Sequence, residues 1–172
     1  MFSLNHAIDL LEKCQRDQVA LANCETHPEY DYVMFDAVLS LSHLFEWYLK
    51  DDSIPKAKRL SCIEIFNPFQ SIDKVSADLK KYYNKIQNFP NPNSSQESIR
   101  LLCNKGKHFK KTTIEIQDRH LLSTCNNMYA GNVTAGAGFF KRYKYSVEID
   151  GQAVDLHNVI NDLLNQWITF AL

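Results

Sequence analysis

The chain is poor in the residues that break regular structure. Its 172 residues include only five glycines and five prolines, which excludes collagen-like, linker-like and low-complexity organisation. No proline follows Pro92, and four of the glycines fall between 131 and 151. Long apolar runs are also missing. The longest uncharged stretch, Leu121 to Phe140, is interrupted by Asn126, Asn127, Gly131, Asn132, Gly136 and Gly138. A membrane span needs about 20 mostly apolar residues, so this stretch reads as a loop and no membrane association is expected. Asp9 and Glu12 interrupt any secretory signal core, and no basic segment precedes them. The five cysteines (Cys14, Cys24, Cys62, Cys103 and Cys125) form no close pair and are odd in number. That spacing predicts free thiols in a reducing cytoplasm, with neither a disulfide framework nor a zinc site. Walker, GxGxxG, HExxH and GxSxG signatures are all missing, so no metal or cofactor is expected.

What is present is the composition of one globular domain over residues 1–172. Hydrophobic residues make up 45% and charged residues 23%, which excludes disorder as the main state. The net charge of −1 hides an asymmetry: residues 1–50 carry −5, residues 51–111 carry +6 and residues 112–172 carry −2. A basic middle between acidic ends suits an anionic ligand, or one part of the fold complementing another.

Periodicity divides the chain into a helical bundle (1–110), a loop with a β-hairpin (111–155) and a C-terminal helix (156–172). Leu4, Ile8, Leu11 and Cys14, continued by Val19 and Ala22, predict a first helix over about 3–24. Met34, Ala37, Val38, Leu41, Leu44, Phe45, Tyr48 and Leu49 give the second, over about 31–50, a face wide enough for the central helix. Pro55 opens a short third helix through about Ile65. A fourth runs from a Ser71 cap to about Ile86 on the stripe Ile72, Val75, Leu79, Tyr82 or Tyr83, and Ile86. Ser94 and Glu97 have the spacing of a capping box and open a fifth helix to about Phe109, with Ile99, Leu102 and Cys103 inward. The period then becomes two. Phe139, Tyr143, Tyr145, Val147 and Ile149 alternate with polar residues, and Asp150-Gly151 is a strong hairpin-turn signal. Asp155 can cap a last helix, on which Leu156, Ile160, Leu163, Leu164, Trp167 and Ile168 recur at helical spacing. Leu41, Phe45, Tyr48, Leu102, Leu163, Trp167 and Ile168 form the expected core. The predicted fold is therefore mainly α: five or six helices with a small C-terminal antiparallel hairpin or three-stranded sheet.

One helix carries chemistry. Arg100, Asn104 and His108 are spaced i, i+4, i+8, a single ridge about 12 Å long at about 1.5 Å per residue. Lys105, Lys107, Lys110 and Lys111 surround it, and no acid occurs between Ser98 and Ile114. A guanidinium can grip phosphate oxygens with two parallel bonds. An imidazole titrates near neutral pH and can move a proton. The lysines attract a polyanionic backbone. The same residues also admit a structural reading, since exposed helix faces are polar and lysines near a helix C-terminus complement its dipole.

Asn104-Lys-Gly-Lys-His108 resembles half of the motif of the HEPN superfamily. These are helical bundles with an Arg, a polar residue that is often Asn, a short spacer and a His on a late helix. Many are metal-independent ribonucleases of toxin–antitoxin and phage-defence systems. Here Cys103 stands where the family has its Arg, and the nearest Arg is Arg100, one turn earlier. The resemblance implies a cytoplasmic RNA-directed protein in which His108 deprotonates a ribose 2′-hydroxyl, Arg100 stabilises the phosphate and Asn104 orients it. It also implies a homodimer and a protein partner such as an antitoxin. The alternative is a non-catalytic interaction module that binds a protein or nucleic acid through the same basic segment. A polar stripe on the second helix (Asp36, Ser40, His43, Glu46, Lys50) is either its solvated side or the facing half of the site.

Overall fold

A computed structural model describes residues 4–24, 26, 28–108, 116–124 and 140–171, with backbone alone for 107, 108, 116–124 and 140–144. Six α-helices are present among them: α1 (Ala7–Asn23), α2 (Glu29–Lys50), α3 (Lys56–Phe66), α4 (Ala77–Tyr83), α5 (Ser94–His108) and α6 (Leu156–Ala171). Three strands, β1 (Ile116–Thr124), β2 (Phe140–Ile149) and β3 (Gln152–Asp155), form one antiparallel sheet in that order. The mainly α fold with a small sheet agrees with the periodicity. No helix among the described residues is long and apolar enough to cross a membrane.

The hairpin turns where the Asp-Gly pair placed it. Asp150 has φ of 51° and Gly151 of 78°, so both central positions are left-handed, as this tight turn requires. Val147 pairs with Val154 and is fully buried, while Glu148 beside it is exposed. Asp155 begins α6 as its cap, its Oδ1 accepting the His157 N–H at 3.0 Å. Strand β1 reaches Thr124, so Leu121 to Thr124 are sheet and not loop. The glycines and asparagines that suggested a loop all lie beyond them.

The core is centred on α2, which packs against α1, α3, α4, α5 and α6. All eight residues of its expected face are buried. Phe66 stacks on Trp167 with ring centroids 3.9 Å apart, and Tyr48 leans on the same indole at 5.6 Å. Of the expected core residues, Ile168 alone is only partly buried.

Two helices differ from the periodicity. In α1 the buried residues are Ala7, Leu10, Leu11, Cys14 and Leu21, while Ile8 is 43% and Val19 56% exposed. Several registers of an apolar-rich helix fit a 3.6 period, and packing against α2 selects the one that buries Leu10 and Leu21. The expected fourth helix is in two pieces, a 3-10 turn (Ile72–Lys74) and α4, separated by extended backbone at Val75 and Ser76. Ser76, and not Ser71, precedes α4. Val75, Leu79 and Tyr83 are buried, but Ile72 is exposed.

Candidate functional site

Helix α5 is fixed at its start by a hydrogen-bonded hub. Asn93, one residue before the expected capping box, is the residue that caps it: its Oδ1 accepts the Gln96 N–H at 2.9 Å. This bond, from an N–H three residues beyond the cap, satisfies one of the free donors of the first turn. The Asn93 N–H in turn donates to the Asn67 carbonyl at 2.7 Å. Asn67 is fully buried. Its Nδ2 donates to the carbonyls of Phe69 (2.8 Å) and Pro90 (2.7 Å), and its Oδ1 accepts from the Tyr83 hydroxyl (2.7 Å) and the Phe69 N–H (3.2 Å). One amide thus ties the loop after α3, the Pro90 loop and α4 together. Burial pushes the Tyr83 phenol well above its usual range, so it stays a donor. Lower on α5, the buried Gln96 accepts the Trp167 indole N–H at 2.9 Å and donates to the Leu41 carbonyl at 3.4 Å.

That hub positions Arg100. Its Nε donates to the Pro68 carbonyl at 3.1 Å, and the guanidinium carbon stands 5.0 Å from the centre of the Phe69 ring. The side chain is half-buried. Burial lowers its proton affinity, opposed by the negative charge of Glu97. The terminal nitrogens have no hydrogen-bond partner among the described residues. A guanidinium braced on Nε and on an aromatic face keeps its outer N–H fork in a fixed direction.

Asn104 lies one turn further along and is half-buried, as is Lys105 beside it. His108 is the last residue of α5 and Lys107 precedes it; both lie on the helix backbone. Lys110 and Lys111 lie outside the described residues. Ile99, Leu102 and Cys103 are buried as expected, Cys103 at 1% exposure. The position directly before Asn104 therefore faces the core, where an arginine would be a buried charge. Any arginine of this ridge has to come from the preceding turn, and Arg100 is there. Glu97 is the sole acid of α5.

The end of α5 approaches α2 closely. A Cβ at Gly106 would lie 2.6 Å from Cε2 of Phe35. Glycine inside a helix costs about 1 kcal/mol relative to alanine; here it leaves room for the Phe35 ring.

Three residues of the polar stripe of α2 are engaged away from this ridge. Ser40 is buried against α1, accepting from Lys13 Nζ at 2.7 Å and donating to Asp17 Oδ2 at 2.7 Å. Lys50 pairs with Glu46 on its own helix and with Asp78 of α4 at 2.5 Å. Tyr83 belongs to the Asn67 hub, Tyr82 lies under Lys81 at 4.9 Å, and the Tyr145 hydroxyl donates to Asp31. Among the described residues Cys14, Cys24, Cys62 and Cys103 are free thiols; burial raises Cys14 to about 12 and pushes the Cys62 thiol well above its usual range, which suits structural thiols and not nucleophiles at these two positions.

Sequence reasoning missed Asp51. This carboxylate at the end of α2 accepts the Ala7 N–H at the start of α1 (2.8 Å), the Ser53 N–H (2.9 Å) and the Ser53 hydroxyl (2.6 Å), with His6 Nδ1 at 3.4 Å. Burial alone would raise its pKa, but these donors, Ser53 foremost, hold it at about 2. Its link to α1 has no local signal, because Ala7 and His6 are 44 and 45 residues away. Comparison of the chain with protein-family models, with curated proteins and with solved structures returns no match.

Proposed function

We propose that the chain is an RNA-directed, HEPN-like protein whose α5 ridge seats a backbone phosphate. The observation that carries this reading is the state of Arg100: Nε tied to Pro68, plane over Phe69, and an outer fork with no partner among the described residues. Bracing at Nε and at the ring leaves that fork available to an outside acceptor. A phosphodiester accepts two parallel bonds from such a fork. Asn104, one turn on, can donate to the same group, and the lysines from Lys105 to Lys111 add a sequence-independent attraction to the backbone.

In the catalytic form of this reading, His108 takes the proton of a ribose 2′-hydroxyl. The oxygen attacks the adjacent phosphorus, the 5′-oxygen leaves, and Arg100 stabilises the charge on the phosphoryl oxygens. No metal is required for that chemistry. The homodimer and the antitoxin-like partner that the resemblance implies belong to the same proposal. The buried Cys103 favours a second form, in which the displaced arginine still grips phosphate but the histidine is out of line for cleavage, leaving an RNA-binding module.

The test is incubation of the purified protein with total RNA in the presence of a chelator, beside Arg100→Ala and His108→Ala. Cleavage that falls about 10²–10⁴-fold in His108→Ala with binding retained supports the catalytic form. Binding without cleavage, weakened in Arg100→Ala, supports the binding module. An absence of both refutes the reading.

A further inference from the structure

A cavity of about 420 Å³ opens where the start of α1, the end of α2, the α2–α3 turn and the end of α6 converge. That is the small end of the roughly 300–1,000 Å³ typical of ligand pockets. Its walls are largely apolar, with Ile8, Leu44, Ile54 and Trp167 among them. None of these residues belongs to the α5 ridge, so this site and the RNA reading stand or fall separately.

Most of the polar side chains around the cavity can donate hydrogen bonds. Tyr48 lines it and is only 5% exposed, and its hydroxyl has no hydrogen-bond partner among the described residues. The hydroxyl oxygen itself is not sealed from solvent, so an acceptor that enters the cavity can reach it. Burial also raises this phenol to about 12, so it is a donor at every physiological pH. Lys58 lines the same cavity. Its Nζ donates to the Ala171 carbonyl at 3.0 Å and stands 5.8 Å from the centre of the Phe170 ring. An ammonium has three donors, so two remain without a hydrogen-bond acceptor among the described residues. His6 stands at the rim with an exposed side chain. The one acid, Asp51, is already occupied by Ala7, Ser53 and His6, so it has little capacity left for a ligand's donors.

An apolar cavity with unmet donors and a saturated acid selects an acceptor-only ligand of modest size. We infer that it binds a small monocarboxylate with a compact apolar body, the carboxylate held by Lys58 and the Tyr48 hydroxyl and the body packed on Leu44, Ile54 and Trp167. A carboxylate offers acceptors and no donors, and charge-assisted bonds to it are among the stronger hydrogen bonds. A phosphate dianion fits less well, since a single ammonium on largely apolar walls would leave most of its oxygens desolvated and unpaired.

The experiment uses the full chain carrying Trp47→Phe, so that Trp167 alone reports from the cavity wall. It is titrated with straight-chain carboxylates from acetate to octanoate and with benzoate, followed by tryptophan fluorescence. The neutral amide of the best binder is the control. The inference expects a saturable response to at least one acid, with its amide binding about tenfold or more weakly. Tyr48→Phe and Lys58→Met should each weaken the acid by about tenfold and leave the amide unchanged, with far-UV circular dichroism intact. Equal affinity for acid and amide would overturn the inference, as would the lack of any saturable response. So would unaltered affinity in both variants. The conservative Tyr48→Phe keeps the ring packing, so a fold defect in Lys58→Met leaves the test decisive.

Discussion

Asn67 and Tyr48 are both polar side chains in the helical core, yet they are in opposite chemical situations. Asn67 uses both amide protons and its oxygen within the fold, in four hydrogen bonds. Tyr48 packs its ring on Trp167 and Phe170 and presents to a cavity a hydroxyl that has no partner among the described residues. Arg100 stands between these limits, with Nε committed to Pro68 and its outer fork not. The difference separates residues that hold the fold from residues the fold holds in place for something else. A buried polar group that is fully paired is accounted for by architecture; one that opens on a cavity or on solvent is available to an external partner.

The largest expected effect tests the first half of that contrast. Asn67→Ala would leave the Tyr83 hydroxyl, the Phe69 N–H and two carbonyls unpaired, at about 1–3 kcal/mol for each group that water cannot reach. A loss of about 3–5 kcal/mol is expected in urea unfolding. Tyr48→Phe in the same assay should change stability by less than about 0.5 kcal/mol, because no internal hydrogen bond is lost. Equal losses would erase the distinction.

Core truncation ranks next. Leu41→Ala and Leu163→Ala, both at essentially buried positions, should cost roughly 2–5 kcal/mol from transfer and cavity terms. Losses below about 1 kcal/mol at both would mean the helices pack on other faces.

The acid limb comes third. Asp51 has its pKa lowered from 3.8 to about 2, so the fold favours its ionised form. That stabilisation, about 2 kcal/mol, is fully present above about pH 5. It fades as pH falls through about 4 towards 2, where the folded-state group also protonates. Asp51→Asn should therefore lower stability at neutral pH and flatten its dependence between about pH 5 and 2. An unchanged slope would contradict the assignment of Ala7 and Ser53 as its donors.

Most of the helices and the hairpin were legible because their signals are local. Asp150-Gly151 sets a turn by backbone sterics alone, and the α2 face needs nothing beyond a 3.6-residue period. The register of α1 was not legible, since Ile8 and Leu10 are equally apolar and α2 decides between them. The break at Val75-Ser76 was missed because no proline or glycine marks it. In the candidate site, Arg100, Asn104 and His108 were legible as a spacing. That Pro68 and Phe69 would brace Arg100 was not, because the contact bridges 32 residues through a loop organised by Asn67. The cavity had no sequence signal at all: Tyr48, Lys58 and Trp167 come from three helices brought together only by the tertiary fold.

A smaller effect concerns the meeting of α5 and α2. Gly106→Ala gains about 0.5–1 kcal/mol of helix propensity but drives its methyl into the Phe35 ring, which is 42% exposed and able to turn aside. The two terms should nearly cancel in the parent chain. In a Phe35→Ala background the substitution should stabilise by the full propensity gain, and a double-mutant cycle by thermal unfolding measures the difference.

The central functional claim is that the outer fork of Arg100 meets a phosphate, and the salt dependence of RNA affinity tests it most directly. Affinity for a short single-stranded RNA is measured across a range of monovalent salt for the parent chain and for Arg100→Ala, at a temperature where both are folded. Each neutralised phosphate of a single strand contributes about 0.7 to the slope of log affinity against log salt. The account predicts weaker binding by Arg100→Ala with a slope shallower by about that amount. An identical slope, or RNA affinity that does not depend on salt, would contradict it.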